Sequence, residues 1–115
     1  MNQTKILLLL LGFTFPISAQ QTINGSIIHD GIQRNYILYI PEIYDGSTAV
    51  PLVLNFHGYG SNATQQMFYG DFRNIADTEG FILVHPEGTL LNGDQFWNVG
   101  FPGTTSITID DVGFT

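Results

Sequence analysis

The chain reads as an α/β fold whose opening antiparallel hairpin is followed by a strand–helix–strand unit with parallel strands. Three observations predict it. Pro51–Phe56 (PLVLNF) and Phe81–His85 (FILVH) are short, almost wholly apolar runs, the pattern of strands covered on both faces. The segment between them has helical spacing. Ahead of them, two strand-like segments meet at Asp30-Gly31, a two-residue hairpin signal.

The elements follow in order. Thr22–His29 carries Ile23, Ile27 and Ile28. Ile32–Ile40 alternates, with Ile32, Arg34, Tyr36, Leu38 and Ile40 on one face and Gln33, Asn35, Ile37 and Tyr39 on the other. Pro41 ends that strand, and Tyr44-Asp45-Gly46-Ser47 is a loop. After the first apolar strand, Asn62 with Gln65 three residues on resembles a capping box, and Ser61 is an equally reasonable cap. Phe68, Phe72, Ile75 and Ala76 then share one helical face. Gly70 can split the helix, with Asp71 capping the second part and Gly80 closing it. Pro86-Glu87-Gly88 stops the second apolar strand, and Leu90–Ile109 reads as loop around Phe96-Trp97. Asp110-Asp111 marks the start of a further helix.

Composition narrows the function. The 115 residues form one small domain at most. Lys5, the apolar Ile6–Phe15 and Ile17-Ser18-Ala19 read as a secretory signal over residues 1–19, cut after Ala19. The apolar run is too short for a membrane span. Losing Lys5 takes the net charge from −7 to −8, leaving Arg34 and Arg73 against ten acids. That balance disfavours nucleic acid and anionic membrane surfaces as partners. With no cysteine, neither a disulfide framework nor a Cys-based zinc site is available. Asn24-Gly25-Ser26 and Asn62-Ala63-Thr64 are sequons that matter only in a glycosylating host.

His57-Gly58-Tyr59-Gly60 follows an apolar strand and precedes a helix start, a place where a loop can turn backbone N–H groups outward. Together with Arg34–Asp45 (RNYILYIPEIYD), Pro51–Asn62 (PLVLNFHGYGSN), Ala76–Gly88 (ADTEGFILVHPEG) and Asp110–Phe114 (DDVGF), it resembles secreted α/β-hydrolase esterases. The group it most resembles is that of polyhydroxybutyrate depolymerases and feruloyl esterases. The resemblance implies that residues 20–115 are the N-terminal part of one α/β-hydrolase catalytic domain with an incomplete sheet. The third strand of that fold lies between the fourth and a fifth, so PLVLNF would be an unpaired edge. It implies hydrolysis of polyester, feruloyl or short acyl esters through an acyl-serine, with no metal or cofactor. The ester partner would be a polymer or a plant polysaccharide conjugate.

In that fold one oxyanion donor comes from the loop after the third strand and the other follows the nucleophile. By resemblance the Tyr59 N–H is the donor here, with Gly58 and Gly60 shaping the loop. The nucleophile elbow Gly-x-Ser-x-Gly is absent, and every histidine precedes the place where the triad would begin. The piece alone is therefore expected to be inactive. His57 reads as a loop brace rather than a general base, and His29 and His85 as structural. Asp110 and Asp111 read as a helix cap and dipole complement. Trp97 reads equally as a pocket wall and as a loop anchor. Relatives often carry cysteines between Asn98 and Ile109, so no loop-tethering disulfide is expected here. The competing reading is a small secreted carbohydrate-binding module presenting Phe96, Trp97 and the tyrosines.

Overall fold

The computed structural model describes residues 19–100 and 106–115; the signal expected over residues 1–19 falls outside them except for Ala19. β1 (Gln21–His29) and β2 (Ile32–Ile40) pair antiparallel along their whole length, from Gln21 opposite Ile40 to His29 opposite Ile32. Their turn has Asp30 at φ 49° and Gly31 at φ 73°. Positive φ at both central residues is the hairpin geometry that follows strand twist, as Asp-Gly predicts.

β3 (Leu52–Leu54) and β4 (Ile82–Pro86) run parallel, and β4 also pairs antiparallel with β2. The sheet order is β1-β2-β4-β3, with β3 at an edge. This mixed sheet with its helices is compatible with part of an α/β-hydrolase fold.

Two helices join β3 to β4. α1 (Ala63–Tyr69) is capped by Asn62, whose side chain accepts from the Gln65 N–H at 2.8 Å. α2 (Arg73–Glu79) ends at Gly80 in the left-handed region, φ 73°, which a glycine adopts without a Cβ clash. The split at Gly70 is as expected, but the N-cap of α2 is Phe72. Asp71 still contributes, accepting from the Arg73 N–H at 3.1 Å.

The buried helical residues are Ala63, Met67 and Ala76. Phe68, Phe72 and Ile75, expected on the inner face, are exposed. The break between the helices resets their phase, so one continuous stripe across both cannot persist. Ile37 packs with Ala63 and Met67; Tyr39 packs with Ala76 and Leu83.

The sheet's second face is less covered than the apolar runs imply. Val53 turns to the helix side, whereas Leu52 is 59% and Leu54 37% exposed. Register places Leu38, Val84 and Leu54 side by side on the opposite face. Its β2 end is roofed by α3 (Asp111–Phe114), which sits against Arg34.

The segment read as loop from Leu90 contains a second hairpin, β5 (Thr89–Leu91) with β6 (Asp94–Phe96). Its turn is Asn92-Gly93, φ 54° and 96°. Asn-Gly between apolar-bearing segments carries the same hairpin signal as Asp30-Gly31.

Candidate functional site

The loop after β3 is held from several directions. Asn55 N–H donates to the Val84 carbonyl at 2.8 Å, extending the parallel ladder one residue past β3. The chain then turns: Ser61 N–H donates to the Gly58 carbonyl at 3.1 Å, with Gly60 at φ 72°. A positive φ at the third of four residues is the type II arrangement, which selects glycine there. The Gly60 N–H is itself taken by the Gln95 carbonyl of β6 at 2.8 Å.

His57 sits under this turn, 3% exposed. Its Nδ1 lies 2.8 Å from the Gly58 carbonyl, and its Nε2 lies 3.0 Å from the Gly88 N–H. A carbonyl can only accept and an N–H only donate, so the tautomer that satisfies both carries its proton on Nδ1. The Glu87 carboxylate stands 3.2 Å from the same Nε2 and also receives the Ala63 N–H at the start of α1. Burial, ahead of the opposing effects of the Ala63 N–H and the nearby His57 ring, raises the pKa of Glu87.

One consequence bears directly on the donor. The Gly58 carbonyl and the Tyr59 N–H belong to a single planar peptide and point in opposite directions. Two donors, His57 Nδ1 and Ser61 N–H, grip the carbonyl. The plane is thereby fixed and the N–H polarised by its bonded carbonyl. Neither the Tyr59 N–H nor the Gly58 N–H donates to a described residue. A Cβ built on Gly58 would meet nothing within 4 Å, so there is open space beside the donor. Tyr59 itself is 71% exposed; its hydroxyl donates to Asp94 at 3.3 Å, and the Asp94 charge raises its pKa.

Beside the loop lies a cavity of about 520 Å³. Phe56, Gly58, Tyr59, Leu91 and Trp97 line it, together with Val112 and Asp111 of α3. Trp97 lines the cavity, and its Nε1 donates to the His57 carbonyl at 3.0 Å. Phe56 meets it edge-on at 5.1 Å, a favoured aromatic geometry. Gly88 lets the β5–β6 hairpin come this close. A Cβ there would stand 2.5 Å from the Phe96 carbonyl oxygen and 3.1 Å from the His57 ring.

Asp110 caps α3 as expected, accepting from the Gly113 N–H at 2.8 Å. That bond, then His29 at 3.2 Å, lowers its pKa. Asp111 does more than complement a dipole. It is 2% exposed and takes Arg34 Nη2 on one oxygen and the Asn98 N–H on the other, both at 2.5 Å. Arg34 is equally buried and lies 4.0 Å over the Phe114 ring. The sequence carried a signal for this pair: an arginine in an otherwise apolar strand stripe needs a buried acid.

The three histidines do not converge. His85 is fully buried on the helix side of β4, with neither ring nitrogen hydrogen-bonded to a described residue. Burial, with Arg73 adding to it, lowers its pKa. His29 instead gathers Asp30 and Asp110 at the hairpin tip, one ligand-capable atom of each lying within 4.8 Å of the others. Asp30 and Asp110 are exposed there.

No family model matches the chain, and no curated protein matches it. Among solved structures, it is similar to S-formylglutathione hydrolase from Staphylococcus aureus, at 17% identity and a TM-score of 0.41. The likeness covers 69% of this chain and spans 37% of that enzyme. A likeness of that degree assigns neither chemistry nor substrate.

Proposed function

We propose that this chain supplies the oxyanion loop of a secreted serine carboxylic-ester hydrolase of α/β-hydrolase fold. In this reading it belongs with the polyhydroxybutyrate depolymerase and feruloyl esterase group. The observation that carries the reading is the Gly58–Tyr59 peptide. Its carbonyl is held by two donors, and its N–H has no partner among the described residues and borders an apolar cavity. The sheet order β1-β2-β4-β3 supports it, since the resemblance implies that β3 awaits a fifth strand.

The chemistry follows from the placement. When a serine attacks an ester carbonyl, the oxygen gains negative charge, and a fixed N–H stabilises it without reorganising. Tyr59 provides that N–H; the second donor and the serine belong to a nucleophile elbow that this sequence does not contain. His57 acts through the peptide plane, not on the substrate. Polyester, feruloyl and short acyl esters are the substrates of this proposal, and the polypeptide needs no cofactor for the reaction.

The carbohydrate-module reading has less support. Phe96 is buried, and the indole N–H of Trp97 is committed to the His57 carbonyl, so neither presents an open platform.

The experiment is to express the chain with the coding sequence that follows it, and to treat it with a fluorophosphonate probe. The extended protein should label at a single serine within Gly-x-Ser-x-Gly and hydrolyse p-nitrophenyl butyrate. The 115-residue chain should do neither. An extended protein without such a serine, or without esterase activity, would sink the proposal.

A further inference from the structure

Resting on that reading of the loop, we infer that the site is a charge filter: it accepts esters whose acyl group is uncharged and rejects anionic ones. The cavity beside Tyr59 is walled chiefly by Phe56, Leu91, Phe96, Trp97, Val99 and Val112. Asp111 is the one charged side chain among its lining residues. Each of its two oxygens already holds a donor, Arg34 on one and the Asn98 N–H on the other, and the Arg34 guanidinium balances its charge.

Among the described residues neither a lysine nor an arginine faces the space, and His57, which also lines it, has both ring nitrogens engaged by Gly58 and Gly88. Of the two arginines, Arg34 is buried in that pair, and Arg73 is bound to Asp71 at 2.6 Å. The chain's one lysine, Lys5, lies outside the described residues. Asp94 stands at the rim, joined to the Tyr59 hydroxyl, and Glu87 lies behind the loop against His57. An anionic acyl group entering here loses its hydration, gains no ion partner and meets a negative rim. A neutral acyl group loses only apolar hydration. The same field acts after hydrolysis, because the released acid is a carboxylate.

Trp97 is the only tryptophan, so its emission reports occupancy of the cavity without any need for turnover. The chain is titrated at about pH 8 with methyl phenylacetate and, separately, with phenylacetate, which is ionised there. The neutral ester should perturb Trp97 saturably, and the anion should bind at least roughly tenfold more weakly. Leu91→Lys, which places a cation in the cavity wall, should reverse the order. Asp94→Asn should narrow the gap at low salt and lose its effect as salt screens the rim. Equal binding of ester and anion, or no response to either, overturns the inference. The readout is binding, so failure of the Tyr59 donor in kinetics leaves this result standing, and failure here leaves the donor assignment intact.

Discussion

In the extended protein of the proposed function, replacing Tyr59 by proline removes the backbone N–H while leaving the turn around it able to form. Tyr59 is the second residue of the turn closed by Ser61 N–H on the Gly58 carbonyl, with Gly60 at φ 72° in third place. Proline is favoured at that second position of a type II turn. The side chain lost is exposed and makes one long hydrogen bond, 3.3 Å to Asp94, which solvent weakens. Against this, a compatible proline lowers the entropy of the unfolded chain by about 0.4–1 kcal/mol. Stability should therefore change by no more than about 1 kcal/mol. The rate should not be spared. Removing a single oxyanion donor costs about 3–4 kcal/mol, or roughly 10²–10³ in kcat. Tyr59→Phe keeps the N–H and loses only the hydroxyl, so its kcat should stay within about threefold of the parent, a difference under about 1 kcal/mol. The assay is steady-state hydrolysis of p-nitrophenyl butyrate alongside a thermal melt. A folded Tyr59→Pro enzyme with unchanged kcat would refute the assignment of the donor.

Four other perturbations test the surrounding architecture. The exposed edge at β3 should make the isolated chain self-associate, and Leu54→Lys should reduce this in light scattering; a monomer with a sharp cooperative melt before any change would contradict it. In that background, Arg34→Met leaves Asp111 buried without its cation and should lose about 3–5 kcal/mol in urea unfolding, while Arg34→Met with Asp111→Leu should recover most of the loss. Gly88→Ala drives a methyl to within 2.5 Å of a backbone oxygen; it should displace the β5–β6 hairpin, shift Trp97 emission and lower parent activity, and an unchanged spectrum and rate would argue against close packing there. The pKa of Glu87 is raised by burial, so the folded state binds its proton more readily than the unfolded state, and stability falls as pH rises from the unfolded pKa through the folded one. Glu87→Gln keeps an acceptor for the Ala63 N–H and should flatten that decline in melts run across acid to neutral pH; a decline of unchanged depth would show that Glu87 is not its source.

The strand pattern was legible because each apolar run is short and bounded by turn residues. Asp30-Gly31 announced its hairpin by the same chemistry that Asn92-Gly93 carried unread. The second hairpin was hidden because its strands are three residues each, too short to show alternation. The helical stripe was misassigned because periodicity across Phe68–Ala76 assumes a continuous helix, and the break at Gly70–Phe72 changes its phase. At the candidate site, the proposed backbone donor leaves only a weak trace in sequence, a small-residue loop after an apolar strand. The two-sided bonding of His57 to Gly58 and Gly88 was not readable, because it depends on a hairpin arriving from residues 89–96. The Arg34–Asp111 pair joins positions far apart in the chain, so spacing could not have exposed it.

Asn98 has a consequence beyond the site. Its side-chain amide donates to the carbonyls of Ile107 at 3.2 Å and Ile109 at 2.8 Å, and its backbone N–H donates to Asp111. Three hydrogen bonds from one residue thus tie Asn98 to the segment that leads into α3. A tether of this kind is indifferent to redox potential: no thiol has to be oxidised for it to form, and no reductant can open it. The tether therefore forms under reducing conditions as readily as under oxidising ones.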